Sequence, residues 1–315
     1  MHEADYSFPA FSYFCTMKQL SKLKEGDTIG IISTARKISA KELQPAIDKL
    51  ESWGLKVKLG KNLFEEYHQF AGTDIQRAED LQMMLNDSEV KAVLCARGGY
   101  GTVKIIDKID FRNFRENPKW VIGYSDVTVL HSHIHNLGIE TLHATMPVNF
   151  PDNNRSNAAI DSLQKALFGR EIKYFIPAHK FNIQGEIQAP VVGGNLSILY
   201  SLLGSESDIS TNNKILFFED LDEYLYHIDR MMMNMKRTGK FDKPAAIIIG
   251  GMSDMNDNQI PYGQTAKEIV SKIIGDANYP VLFNFPAGHI ANNRAIILGR
   301  NAALKVTENG GVFIQ

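Results

Sequence analysis

The sequence predicts an α/β protein in two unlike halves, a mostly parallel sheet covered by helices followed by a region richer in strand. Three observations carry that expectation. From Asp27 to about residue 150, short β-rich runs alternate with segments of helical period, a pattern that implies right-handed crossovers and puts ligand sites beyond the carboxyl ends of the strands. The stretch Pro151-Asp152-Asn153-Asn154-Arg155-Ser156-Asn157 is dense in turn formers and breaks that pattern. After it, strand-like runs outnumber helical ones. The 315 residues suffice for two domains, each with its own core. The expected organisation is a tail over 1–22, a first domain over 23–150, a linker over 151–182 and a second domain over 183–315.

Each element has its own reason. Thr28–Ile32 is a short β-rich run. Ser39 and Glu42 form a capping box, in which each side chain satisfies an orphan amide of the other residue, and Leu43, Ile47 and Leu50 then share one helical face. Gly54 ends that helix. Residues 55–59 read as a strand, 74–85 as a helix and 90–95 as a buried strand, and 103–109, 120–124, 127–136 and 139–143 continue the pattern. In the second half, 183–190, 215–218, 245–249, 281–285 and 295–298 read as strands, and 196–203 and 265–274 as helices.

Composition narrows the function. A hydrophobic content of 44% with 22% charged residues is that of a soluble globular protein, and a formal charge of -2 offers no basic field for nucleic acid and no polybasic face for a membrane. The expected partner is a small molecule. The first 20 residues are aromatic but broken by Pro9, Glu3 and Asp5, so they do not read as a signal peptide, and no run reaches the roughly 18 apolar residues of a membrane span. The two cysteines, Cys15 and Cys95, suit neither a disulfide framework nor a metal site, which fits a reducing cytoplasm.

The chemistry concentrates at strand ends. An apolar run from Trp120 stops at Ser125, and a helix-like pattern begins just after it. At such a turn the helix N-terminal amides can receive the charge that develops on a substrate carbonyl oxygen, which suits a nucleophile; a helix cap is the competing reading. A serine needs a base, and the base an orienting carboxylate. Glu219-Asp220 ends one buried run and Gly288-His289 ends another, in the Ser, acid, His order of one large hydrolase class. The elbow departs from G-x-S-x-G, because Val127 stands where the second glycine would be. Glu219 and Asp220 compete for the acid role, since neighbours on a strand face opposite sides.

Taken together, Ala96-Arg97-Gly98-Gly99-Tyr100-Gly101, Gly123-Tyr124-Ser125-Asp126-Val127-Thr128, Gly193-Gly194-Asn195-Leu196, Phe218-Glu219-Asp220-Leu221-Asp222-Glu223 with Asp229-Arg230, and Gly288-His289 resemble the serine LD-carboxypeptidases, from about Lys24 to the C-terminus and in the family's order. The resemblance implies a Rossmann-like N-terminal domain, a C-terminal domain with a β-rich core and flanking helices, and a site between them. It implies Ser125 as nucleophile, His289 as general base and Glu219 as the acid that orients His289, with no metal and no cofactor. It further implies removal of a terminal D-amino acid from cytoplasmic murein peptides, and a tendency to dimerise. A related branch cleaves the antibiotic microcin C and its processed adenylates, and a non-catalytic muropeptide binder is the reading from another class.

The residue types suit these roles. Gly98 and Gly99 allow backbone N–H groups to approach a bound carbonyl, and the expected oxyanion hole joins Gly99 to Asp126. Arg97, Gly98, Gly194 and Asn195 are the expected substrate contacts. For Arg97 two readings stand side by side, a bidentate contact with a terminal carboxylate or a pairing with a neighbouring acid. His131, His133 and His135 diverge if they lie on a helix, as the apolar spacing of Leu130, Ile134 and Leu137 suggests, so they are not expected to hold a metal. Met231, Met232, Met233 and Met235 read as core or interface filling. The Arg97 loop is no Walker motif, because no Gly-Lys-Ser or Gly-Lys-Thr follows, and the first strand leads into no dinucleotide fingerprint.

Overall fold

The structure is a computed structural model that describes residues 17–152 and 157–315; Cys15 and most of the expected tail lie outside the described residues. The first half runs β1 (Thr28–Ile32), α1 (Ala40–Ser52), β2 (Lys56–Leu59), α2 (Asp74–Asn86), β3 (Val90–Cys95), α3 (Arg112–Glu116), β4 (Trp120–Gly123), α4 (Thr128–Asn136) and β5 (Thr141–His143). The second half runs α5 (Ala158–Leu167), β6 (Lys173–Pro177), β7 (Gly185–Asn195), α6 (Leu196–Ser201), β8 (Ile215–Leu221), α7 (Leu225–Arg237), β9 (Ala246–Ser253), α8 (Ala266–Ile274), β10 (Val281–Leu282), β11 (Ile296–Leu298), β12 (Asn301–Thr307) and β13 (Gly310–Ile314).

Among the described residues the strands form two sheets, of order β11-β5-β4-β3-β1-β2 and β10-β9-β8-β7-β12-β13-β6. In the first, β5 through β2 are parallel, as the alternation predicts. The second is mixed: β7 to β10 are parallel, and β12, β13 and β6 add antiparallel strands. Local signals hold the helices in place. The Ser39 capping box of α1 is present, and Thr73–Gln76 and Thr265–Glu268 open α2 and α8 in the same way.

Three apolar clusters fill the layers. One contains Ile29, Ile31 and Trp120 from the first sheet together with Phe217, Phe285 and Phe313 from the second half, so a single core runs between the two sheets. Each such side chain contributes about 1.5–3 kcal/mol on burial, which couples the halves through packing. A second cluster lies under α2 and α4, and a third under α6, α7 and α8. Met231, Met232 and Met235 belong to the third, whereas Met233 is exposed.

Several segments differ from the expected layout. The stretch read as a linker carries α5 and β6: Asn157 caps α5, Ile160, Leu163 and Leu167 enter the shared core, and β6 is an edge strand of the second sheet. Strand β11, placed by sequence in the second domain, pairs antiparallel with β5 and so joins the first sheet, covering an otherwise open edge. Residues 103–109 form two short 3-10 turns instead of a regular element. Strand β7 extends through Gly193-Gly194 to Asn195, because buried pairing with β8 overrides the weak strand preference of glycine.

Candidate active site

Strand β4 delivers Ser125 to the carboxyl end of the first sheet. Ser125 has φ +63°, in the left-handed region that strains a residue with a side chain, and it begins a 3-10 turn that runs into α4. Its neighbour on the next loop is glycine by necessity. A Cβ on Gly98 would lie 2.9 Å from Ser125 Cβ and 3.0 Å from Oγ. Asp126 turns inward: its carboxylate is buried and accepts from Thr102 N at 2.8 Å, and burial raises its pKa. Its side chain thus ties the serine turn to the residue that follows the Gly98-Gly99 loop.

The second sheet supplies the other two groups. His289 Nε2 lies 3.0 Å from Ser125 Oγ, and His289 Nδ1 lies 2.8 Å from Glu219 Oε2, which also accepts from His289 N at 2.9 Å. Glu219 is fully buried, and Asn195 Nδ2 approaches its other oxygen at 3.4 Å. Burial alone would push the His289 pKa down; the hydrogen bond and charge of Glu219, with Asp220 behind it, leave it above the ordinary value of 6.5. The imidazolium is therefore stabilised where a base must form it.

Glycine makes this approach feasible. Between Phe218↔Ile249 and Asp220↔Met252 the β8–β9 register shifts, so Gly250 and Gly251 oppose Glu219 alone. A Cβ on Gly250 would lie 2.5 Å from Ala287 O, and one on Gly288, at φ +106°, 2.5 Å from Glu219 Cγ. Asn293 Oδ1 accepts from Gly288 N at 2.8 Å and fixes the same loop. Tyr124 completes the surroundings: its ring centroid lies 4.9 Å from that of His289, and its hydroxyl donates to Asn149 Oδ1 at 3.0 Å.

The Asp220 side chain is directed elsewhere. It accepts from Asn195 Nδ2, Ser197 N and Leu221 N, each at 2.9 Å, and holds the N-terminus of α6. Burial and then the Glu219 charge raise its pKa to about 7.

A cleft of about 560 Å³ opens on Ser125 and His289, lined also by Arg36, Arg97, Gly98, Gly99 and, on the other wall, Asp222 and Glu223. A larger cavity of about 630 Å³ lies at the opposite end of the first sheet, beside Val90 and Trp120, away from these groups. The structure brings Ser125, Glu219, His289, Gly98, Gly99, Asp126, Arg97 and Asn195 together, with two qualifications. Gly194 is buried and does not line the cleft; it is glycine because a Cβ would lie 2.4 Å from Thr128 Oγ1. Asn195 reaches the cleft, but its side chain caps α6 and donates to Glu219 and Asp220.

Sequence reading missed Arg36, Tyr124 and Asn293 as parts of the site. It also missed the Gly250-Gly251 bulge, for which two glycines inside an apolar strand were a usable signal. The three histidines go separate ways on α4: His131 bonds Thr141 and Gly123 O, His133 bonds Ser207, and His135 is half-buried with its pKa pushed down to about 4 by burial.

A two-sheet α/β fold with a serine, histidine and buried glutamate in hydrogen-bonded sequence defines the class as a serine hydrolase. Residues 29–144 match the LD-carboxypeptidase N-terminal domain and residues 188–304 the LD-carboxypeptidase C-terminal domain, so the chain belongs to the LD-carboxypeptidase family. It is 37% identical over 92% of its length, and 92% of the relative's, to a probable murein peptide carboxypeptidase of Bacillus subtilis. Its fold is similar to that of muramoyltetrapeptide carboxypeptidase from Oxalobacter formigenes, with TM-score 0.82 and 23% identity over 91% of this chain and 98% of that one. It is equally similar to the microcin C7 self-immunity protein MccF in complex with aspartyl sulfamoyl adenosine, with TM-score 0.83 and 22% identity over 94% and 98%.

Proposed function

We propose that this chain is a cytoplasmic serine LD-carboxypeptidase that releases the terminal D-alanine of murein tetrapeptides during wall recycling. The observation that carries the reading is the relay from Ser125 through His289 to Glu219, at 3.0 and 2.8 Å. Ser125 Oγ attacks the carbonyl carbon of the L,D bond while His289 Nε2 takes its proton. Glu219, fully buried, fixes the histidine tautomer and stabilises the imidazolium. The N–H groups of Gly99 and Asp126 receive the oxyanion, with no reorganisation at the moment of attack. His289 then protonates the leaving amine, and water, activated by the same histidine, releases the acyl group.

The name of the Bacillus subtilis relative supports a murein peptide as substrate. Each step uses a group present in the chain, with no metal and no cofactor. The active species is proposed to be a homodimer, which sedimentation equilibrium measures directly. The decisive experiment incubates the protein with a defined muramoyl tetrapeptide and follows loss of D-alanine by mass spectrometry. Hydrolysis of an aminoacyl sulfamoyl adenylate with none of the tetrapeptide would move the assignment to antibiotic detoxification. Tight tetrapeptide binding without any cleavage would make the protein a sensor.

A further inference from the structure

The cleft holds two guanidinium groups, and they differ in what already engages them. Arg97 lies 3.5 Å from Glu42 Oε1, and Glu42 also takes part in the capping box of α1. Among the described residues the Arg36 guanidinium has no hydrogen bond, ion pair or ring contact, although Arg36 lines the same cleft. Its backbone, by contrast, is fixed: Arg36 N donates to Gly98 O at 3.3 Å, and Arg36 bridges to Phe70.

The stem of Arg36, an exposed residue, packs on the glycine loop that abuts the reacting serine. A Cβ on Gly99 would fall 2.6 Å from Arg36 Cγ, 2.7 Å from Cδ and 3.1 Å from Nε, while one on Gly98 would meet Ser125. The Gly98-Gly99 backbone therefore touches the serine through one residue and the Arg36 side chain through the next. Across the cleft stand Asp222 and Glu223, so an anionic group is repelled from that wall and drawn to the arginine side. Arg97 already turns one N–H towards Glu42, at 3.5 Å, whereas among the described residues the Arg36 guanidinium has no polar partner to compete with a carboxylate.

We propose that Arg36 is the specificity-determining residue that holds the free α-carboxylate of the leaving amino acid and so makes this peptidase an exopeptidase. The assignment rests on reading the cleft as a peptidase site. A planar guanidinium offers a carboxylate two parallel N–H donors, which a carboxamide cannot match in charge or geometry.

The test compares N-acetyl-L-lysyl-D-alanine with its C-terminal carboxamide, using wild type, Arg36→Gln, Arg36→Lys and Arg97→Gln. The expected result is that Arg36→Gln lowers kcat/KM for the free acid by about 100-fold, mainly through KM, so that the free acid to carboxamide ratio collapses towards one. Arg36→Lys should keep part of the preference, and Arg97→Gln most of it. Calorimetric binding of the same two peptides to Ser125→Ala, with and without Arg36→Gln, reads the preference without catalysis. If the wild type cleaves neither peptide, the tetrapeptide assay decides the peptidase reading, while this binding comparison still decides the role of Arg36. A preference that survives Arg36→Gln, that disappears with Arg97→Gln, or that is absent from both kinetics and binding overturns the proposal.

Discussion

The two halves of the site are built differently. Ser125 is presented by one continuous segment: β4 ends, the backbone turns through φ +63°, and a 3-10 turn leads into α4. His289 and Glu219 come from segments 70 residues apart and meet only because a glycine bulge in β9 and Gly288 let the chain pass within contact distance. The proposed nucleophile thus depends on local backbone geometry, whereas the proposed base and acid depend on how β8, β9 and the loop after β10 pack. A change at the serine should cost chemistry with little stability. Changes on the other side should divide between the two according to which contact is lost.

The largest effect is expected from Ser125→Ala, which should lower turnover by about four orders of magnitude or more and leave thermal melting nearly unchanged. A variant that keeps a tenth of wild-type activity would remove Ser125 from the reaction and reverse the comparison.

Next in size is Glu219→Gln, with a loss of about 10³–10⁴ in turnover. The Glu219 hydrogen bond and charge hold the His289 pKa above 6.5, and the base works only when neutral, so wild-type kcat/KM should rise with pH through a value above 6.5. Removing the carboxylate destabilises the imidazolium, so that limb should move to lower pH in Glu219→Gln. Asp220→Asn sharpens the contrast. Its amide faces donors from Asn195, Ser197 and Leu221, so it should cost about 1–3 kcal/mol of stability and far less turnover. If Asp220→Asn abolished turnover while Glu219→Gln were nearly silent, the acid would be misassigned.

A smaller effect is expected from Gly288→Ala. Its Cβ would lie 2.5 Å from Glu219 Cγ at a φ of +106°, so the His289 loop must shift, and a displacement of about 1 Å should lower kcat roughly 10²-fold together with the melting temperature. Wild-type kinetics with a normal melting temperature would mean that the base side tolerates displacement as well as the nucleophile side does. The smallest expected effect is that of chelators. In the proposed mechanism Ser125, His289, Glu219 and backbone amides fill every role, so EDTA should leave the rate unchanged, and a loss restored by zinc would contradict it.

Much of the frame was legible in the sequence because its causes are local. Alternating β-rich and helical segments gave the parallel character of the first sheet from β5 to β2, the Ser39 capping box marked the start of α1, and a serine after a buried strand marked the turn that leads into α4. The choice of Glu219 over Asp220 rested on strand alternation joined to the family pattern; Glu219 bonds His289 and Asp220 bonds Ser197 N, while Asn195 Nδ2 reaches both carboxylates. Which residue types the chemistry has available, and in what order they occur, can be read from the chain alone.

Long-range packing decided the rest. Strand β11 carries the same apolar pattern whether it edges the first sheet or the second, so its pairing with β5 has no local cause. Gly194 reads as a site glycine in its motif and proves to be the place where β7 passes against Thr128 of α4. Arg97 and Arg36 are both arginines near a glycine loop; one meets Glu42, the other has no polar side-chain partner among the described residues, and nothing in either segment distinguishes them. Periodicity and capping act over one or two turns of chain and can be read from a line of letters. Pairing, close approach and the partners of a charge arise between segments that meet only in the folded protein.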